Sequence, residues 1–161
     1  MTTYPQRKSP RLHGYDYSRG GVYFVTVCQQ SRAYLFGEIV EGELRLTPAG
    51  EMVRVWWERL PEKFPALEID HFVVMPNHFH GIVLLEGGQT GLSTAMQWFK
   101  AMTTNAYIRG VKEQGWTPFE KRLWQRSFHD HIIRDERGLE MIRGYVLTNP
   151  ARWEADTFYL A

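Results

Sequence analysis

Two histidines, His78 and His80, stand two residues apart in Phe72-Val-Val-Met-Pro-Asn-His-Phe-His-Gly-Ile-Val-Leu-Leu85. The run reads as two apolar strands joined at Pro76-Asn77, with the histidines at the mouth of the second. Alternate residues of a strand point to one face, so the imidazoles project side by side, roughly 7 Å apart along the backbone. That spacing suits one metal ion or one phosphate oxygen. A second His-x-His, His129-Asp-His131, lies in a polar, basic stretch, and the four histidines together could form a zinc site. His71, on the first strand of the hairpin, reads as a structural or rim residue, and His13 falls in an N-terminal arm.

The His-hydrophobe-His run with its Val-Val-Met-Pro-Asn lead-in resembles the HUH signature of single-tyrosine transposases, above all the REP-associated tyrosine transposases of bacteria. Gly144-Tyr-Val-Leu-Thr-Asn-Pro150 resembles that family's catalytic-helix motif, Tyr-x-x-x-Asn-Pro, and Leu-Trp124-Gln125-Arg126 a segment common in its members. The resemblance covers nearly the whole chain, from about Arg7 to Pro150. It implies that His78 and His80 are metal ligands and that Tyr145 is the nucleophile. It makes Asn149 the third ligand, where related insertion-sequence transposases often have Gln. The implied cofactor is Mg²⁺ or Mn²⁺. Residue chemistry alone leaves the ion open, because paired imidazoles suit Zn, Fe, Ni or Cu better than oxygen-loving Mg²⁺, with Mn²⁺ a compromise.

The implied activity is that of a DNA-cleaving and strand-joining endonuclease on single-stranded or hairpin DNA, serving transposition or recombination of REP elements. Phosphodiesters resist nucleophiles because their oxygens are negative, and a divalent cation withdraws that charge and orients the phosphate. A tyrosine hydroxyl, with a free pKa near 10, needs such help or a nearby base. A covalent 5′-phosphotyrosine conserves bond energy, so rejoining needs no ATP. Consistently, the Gly87–Gly91 loop lacks the lysine and the strand-to-helix context of a P-loop. Two rivals remain: a non-catalytic, domesticated DNA-binding regulator on the same fold, and a hydrolase that uses metal-activated water.

Tyr145 and Asn149 are i and i+4 and share a helix face, on the edge of the Leu139/Ile142/Val146 stripe. Pro150 is expected to stop or kink that helix and to bias Asn149 away from α geometry. Tyr107 is the competing nucleophile, and Tyr15, Tyr17, Tyr23 and Tyr159 also exist, but only Tyr145 has a metal-capable residue one turn away. DNA contacts are expected from Arg7, Lys8 and Arg11 of the arm, from Lys100 and Arg109 on a helix, and from Lys121, Arg122, Trp124, Arg126 and His131. The competing readings are solvated basic faces and, for Trp124, a core anchor.

These residues must be positioned by elements that can be read in order. Val22–Cys28 is rich in β-formers. Residues 35–46 alternate around Glu41-Gly42, as a short hairpin does. Thr47-Pro48 starts a helix bearing Met52, Val55, Trp56 and Leu60 and closed by Pro61 and Pro65, with Trp56 and Trp57 as core and rim. The central hairpin spans 66–75 and 78–85. Ser93 is expected to cap a helix over 93–113 with Met96, Phe99, Met102 and Ala106 inward. Residues 121–134 form a basic loop feeding a strand, and Asp135 caps a last helix. The order suits an α+β fold, an antiparallel β-sheet with packed α-helices. The resemblance implies the same ferredoxin-like HUH architecture.

At 161 residues, 43% of them hydrophobic and 23% charged, the chain suits one globular domain over 1–161, with 1–20 as a basic arm. A formal net charge of +1 weighs against DNA binding by bulk electrostatics but allows a local basic patch. Cys28 is the only cysteine, which excludes an internal disulfide and a cysteine zinc knuckle. No apolar run is long enough for a membrane helix, and no signal-peptide core opens the chain. The expectation is a cytoplasmic, nucleoid-associated bacterial protein with no membrane partner. Relatives act as monomers or as homodimers that swap the tyrosine helix, so both states stay open.

Overall fold

The computed structural model describes residues 21–86, 91–156, 158 and 159. The β-former run after residue 20 is strand β1 (Gly21–Cys28). The Glu41-Gly42 hairpin joins β2 (Gly37–Val40) to β3 (Glu43–Leu46), with positive φ at both turn residues, as a two-residue hairpin turn requires. It forms a small sheet of its own. The central hairpin is β4 (Leu67–Met75) and β5 (His78–Leu85), and the basic loop leads into β6 (His129–Ile132). One four-stranded sheet has the order β4-β5-β1-β6, antiparallel throughout.

Helix α1 (Pro48–Glu58) starts as expected. Thr47 Oγ1 accepts the Gly50 N–H at 3.1 Å and donates to the Leu35 carbonyl at 2.9 Å. Pro61 does not simply end it. It sits in the first turn of a short helix α2 (Leu60–Lys63), where its missing N–H costs nothing. Helix α3 (Leu92–Gln114) begins one residue earlier than expected, capped by Gly91 rather than Ser93. Ser93 therefore lies inside the first turn. Helix α4 (Glu136–Thr148) is capped by Asp135, whose Oδ1 accepts the Gly138 N–H at 2.8 Å.

The strand alternation divides the interior. Tyr23, Val25, Val27, Phe79 and Val83 face α1 and α3 across the larger core, with Trp57 and Phe99. Val73, Met75, Ile82 and Phe24 face α4 in a smaller core with Val146, Leu139 and Ile142. Trp57 is fully buried and Trp56 partly, as core and rim. Gly81 lets Trp57 lie against β5: a Cβ there would come within 2.5 Å of the indole and 2.8 Å of the Phe79 ring. No helix among the described residues is long and apolar enough to cross a membrane.

Candidate active site

β5 is buried along both faces, and His78 and His80 enter the α4 side of the sheet from it. The turn residue Asn77 is fully buried, and its Nδ2 donates to the Arg32 and Phe158 carbonyls at 3.2 and 2.8 Å. Two carbonyl acceptors fix which end of that amide is nitrogen. Its Oδ1, 2.9 Å from His78 Nδ1, can only accept, so the His78 proton is on Nδ1 and a lone pair is on Nε2. His80 Nδ1 lies 2.8 Å from Thr26 Oγ1, its cross-strand neighbour on β1.

The two Nε2 atoms face each other at 3.1 Å. Either His80 donates a proton to His78, or two lone pairs converge on one cation. Burial, then His80, then Arg32, push His78 down to about 2, and burial takes His80 down to about 3. Both rings are thus kept neutral, the form in which imidazole binds metal.

Tyr145 is half-buried on α4, its ring edge-on to His80 at 5.5 Å and to Phe24 at 6.0 Å between centroids. The Arg152 guanidinium lies 5.7 Å from the Tyr145 ring centre. Asn149 is 3% exposed, and its Oδ1 is buried without a hydrogen-bond partner among the described residues. The expected loss of α geometry at Asn149 does not occur: it holds φ −54°, ψ −47°. The backbone leaves helical geometry only at Arg152, with φ −109° and ψ 24°. Pro150 opens a 3-10 helix (Pro150–Ala155), where a first-turn proline is tolerated. Tyr145 packs on His80, and Trp153 stacks on His78 at 6.1 Å, so Asn149 lies between two residues that touch the imidazoles. The lone pairs facing each other on His78 and His80, with the orphaned amide oxygen of Asn149 one helical turn after Tyr145, make a donor set that fits a divalent cation.

Sequence reading missed the residues around this centre. Asp156 Oδ2 is 3.9 Å from His78 Nε2, and one donor atom each from His78, His80 and Asp156 lie within 4.8 Å of one another. Phe158 packs on His78 at 4.2 Å. Nothing local marks either residue. α4 itself is fastened to β4 by Arg143, whose Nε and Nη2 donate to the two Asp70 oxygens at 2.8 and 2.6 Å. Asp70 sits where the β4–β5 register shifts, and such irregularities re-aim side chains.

The other candidates fall elsewhere. His129 pairs across from Thr26 and His131 across from Phe24 on the far side of β1, and neither joins the His78–His80–Asp156 group, so no four-histidine zinc site forms. His71 is exposed, bonded to Asp70. Tyr107 is 1% exposed and donates its hydroxyl to the Thr117 carbonyl at 2.6 Å, which removes it as a nucleophile. Tyr23 is also buried.

Arg7, Lys8 and Arg11 lie outside the described residues. Arg109 and Lys121 are exposed, Arg109 near a cleft between α1 and α3, across the sheet from the histidines. Lys100, Arg122 and Arg126 line one shallow cleft, where Lys100 Nζ donates to the Gln125 and Arg126 carbonyls. His131 is half-buried in a cleft of about 500 Å³ with Phe24, Arg134, Arg137 and Met141. Trp124 is 3% exposed, stacked on Phe36, with its indole N–H on Thr103 Oγ1 at 2.8 Å. Its faces are spent on the core, which corrects the expectation that it stacks on bases.

A family model described as IS200-like transposase matches residues 22–149, a span holding both histidines, Tyr145 and Asn149. The chain belongs to the IS200-like transposases. It is similar to the REP-associated tyrosine transposase of Escherichia coli K12, at 27% identity over 152 residues, 89% of this chain and 79% of that one. An uncharacterized protein of Haemophilus influenzae is 36% identical over 169 residues, 96% of this chain and 93% of the relative. Among solved structures, a REP-associated tyrosine transposase bound to a REP hairpin shares 26% identity with a TM-score of 0.66, over 89% of this chain and 74% of that one. The family resemblance and the α+β fold, an antiparallel sheet with packed helices, are both borne out. Membership in this transposase family implies DNA transposition by a DNA-cleaving enzyme.

Proposed function

We propose that this IS200-like transposase cleaves and rejoins single-stranded or hairpin, REP-like DNA in a metal-dependent reaction through a 5′-phosphotyrosine at Tyr145. The observation that carries the reading is the meeting of Tyr145 with the paired imidazoles, 5.5 Å from the His80 ring, one helical turn before Asn149 with its orphaned oxygen.

His78, His80 and Asn149 would hold Mg²⁺ or Mn²⁺, which when bound draws charge from a non-bridging oxygen of the scissile phosphate. Tyr145 Oη attacks phosphorus in line and gives up its proton to solvent. The P–O3′ bond breaks, and the leaving oxygen takes a proton to become a 3′-OH. Attack of a 3′-OH on the phosphotyrosine reverses the step. Arg152, over the Tyr145 ring, is placed to stabilise the negative charge that gathers on phosphate and phenol. α4 holds the phenol at the edge of its apolar face, docked by Val146 and Arg143 yet half-open to a strand.

Basic side chains at Arg109, Lys121, Arg122 and Arg126, with His131, Lys100 and the arm residues Arg7, Lys8 and Arg11, supply the proposed DNA contacts. Tyr145 and His80 of one chain already meet, which favours a monomeric active form over a pair that swaps tyrosine helices. The setting proposed is the nucleoid of a bacterial cytoplasm.

The test is incubation of a labelled single-stranded hairpin with the full chain and Mn²⁺. A covalent protein–DNA adduct, lost in Tyr145→Phe, supports the reading. Cleavage that survives Tyr145→Phe would assign the chemistry to activated water, and tight binding without any adduct would assign a regulator.

A further inference from the structure

We infer that Asp156 is a metal ligand, its carboxylate joining His78, His80 and Asn149 around one divalent cation and pinning the turn after the tyrosine helix onto the β4–β5 hairpin. The inference rests on the metal-dependent reading above.

The geometry is that of donors waiting for one ion. Metal–ligand bonds of roughly 2.0–2.2 Å place neighbouring ligands roughly 3–3.5 Å apart. His78 Nε2 lies 3.1 Å from His80 Nε2 and 3.9 Å from Asp156 Oδ2, and the three donors fit within 4.8 Å. A separation of 3.9 Å is too long for a hydrogen bond, so no direct bond between His78 and Asp156 accounts for it.

The carboxylate is also held in this pose. Asp156 Oδ1 accepts the Phe158 N–H at 2.8 Å, and Phe158 is fixed in turn by its carbonyl on Asn77 Nδ2 and its ring on His78. Oδ2 is thereby aimed at the His78 lone pair. The Asp156 side chain is only 3% exposed, and a desolvated carboxylate is costly unless a cation meets it.

The consequence for the ion is a change of donor set. Two imidazole nitrogens alone favour late transition metals. Adding one amide and one carboxylate oxygen gives two nitrogens and two oxygens, one of them anionic, which oxygen-loving ions such as Mn²⁺ accept more readily. Asn149 and Asp156 stand at the two ends of the 3-10 helix, so one ion would clasp that whole segment.

The experiment titrates MnCl₂ into the metal-stripped full chain by calorimetry, with thermal melts of the same samples. Asp156→Asn keeps an acceptor for the Phe158 N–H and removes the charge. It should weaken Mn²⁺ binding at least about tenfold and erase most of the Mn²⁺-induced rise in Tm, while the metal-free Tm holds or rises. Asp156→Glu, which restores a carboxylate, should recover part of the affinity. Wild-type affinity in Asp156→Asn, alongside lost binding in His78→Ala, would overturn this inference alone. A lowered metal-free Tm in both Asp156 variants with unchanged affinity would reduce Asp156 to a structural role. Equal binding by wild type and His78→Ala would overturn the metal site itself.

Discussion

Arg143 of α4 grips Asp70 of β4 through two hydrogen bonds, Nε to Oδ1 at 2.8 Å and Nη2 to Oδ2 at 2.6 Å. The clamp joins the helix that carries the phenol to the sheet that carries the imidazoles. The Arg143 hydrogen bonds hold the Asp70 carboxyl well below the usual carboxylate range, against a smaller opposing effect of burial. A depressed folded pKa means stabilisation that is full above the unfolded value, near 4, and is lost as pH falls below it. Asp70→Asn should therefore cost about 1 kcal/mol at pH 7, given the partly exposed guanidinium. The gap between wild type and variant should close on going below about pH 4. Chemical denaturation at several pH values measures this, and a gap that is constant with pH would refute it.

His80 depends on Thr26, which lies opposite it on β1 and meets its Nδ1 at 2.8 Å. Thr26→Val keeps the shape and removes the partner that orients the ring. Metal affinity should drop about tenfold or more, with the fold intact by circular dichroism. Calorimetric titration with Mn²⁺ tests this, and unchanged affinity would show that the sheet alone orients His80.

Gly81 separates His80 from Ile82 and admits Trp57 against the strand. In Gly81→Ala the new methyl would press on the fully buried indole, which cannot swing away. Overpacking of this kind costs about 1–3 kcal/mol, and each kcal/mol lowers Tm by about 2–4 °C in a chain this size. A melt unchanged within roughly 1 °C would mean that the core yields more easily than its burial indicates.

Arg152 lies over the Tyr145 ring but is exposed, so its charge is partly screened. Arg152→Ala should slow adduct formation on the order of tenfold, less than a buried electrostatic donor would. Hairpin affinity should change little. Single-turnover kinetics beside a binding isotherm separate the two, and an equal loss in both would make Arg152 a DNA-docking residue instead.

Trp124 packs between Phe36 and Phe99 and donates to Thr103. Trp124→Ala should destabilise the chain by about 3–5 kcal/mol. Trp124→Phe, which keeps most of the packing, should leave hairpin affinity unaltered in a gel-shift titration. A specific affinity loss in the Phe variant at unchanged Tm would restore the stacking role.

The sequence by itself determined most of the elements and the pairing of the candidate site residues. A β-former run marked β1, two apolar runs marked the β4–β5 hairpin, alternation marked β2 and β3, Thr47-Pro48 and Asp135 marked two helix starts, and the spacing of His78 with His80 and of Tyr145 with Asn149 put each pair on one face. These are local signals, set by backbone periodicity and capping within a few residues. Ser93 misled because Gly91, with no side-chain bond to show, can also precede a helix. Only the tertiary structure decided that strand order sets His129 and His131 across β1 from the histidine pair and that Trp124 is spent on packing. It alone brought Asp156 and Phe158 onto His78, and Arg143 onto Asp70. Contacts between residues far apart in the chain arise from how the faces pack. A lone aspartate or arginine carries no local trace of the partner that packing will bring to it.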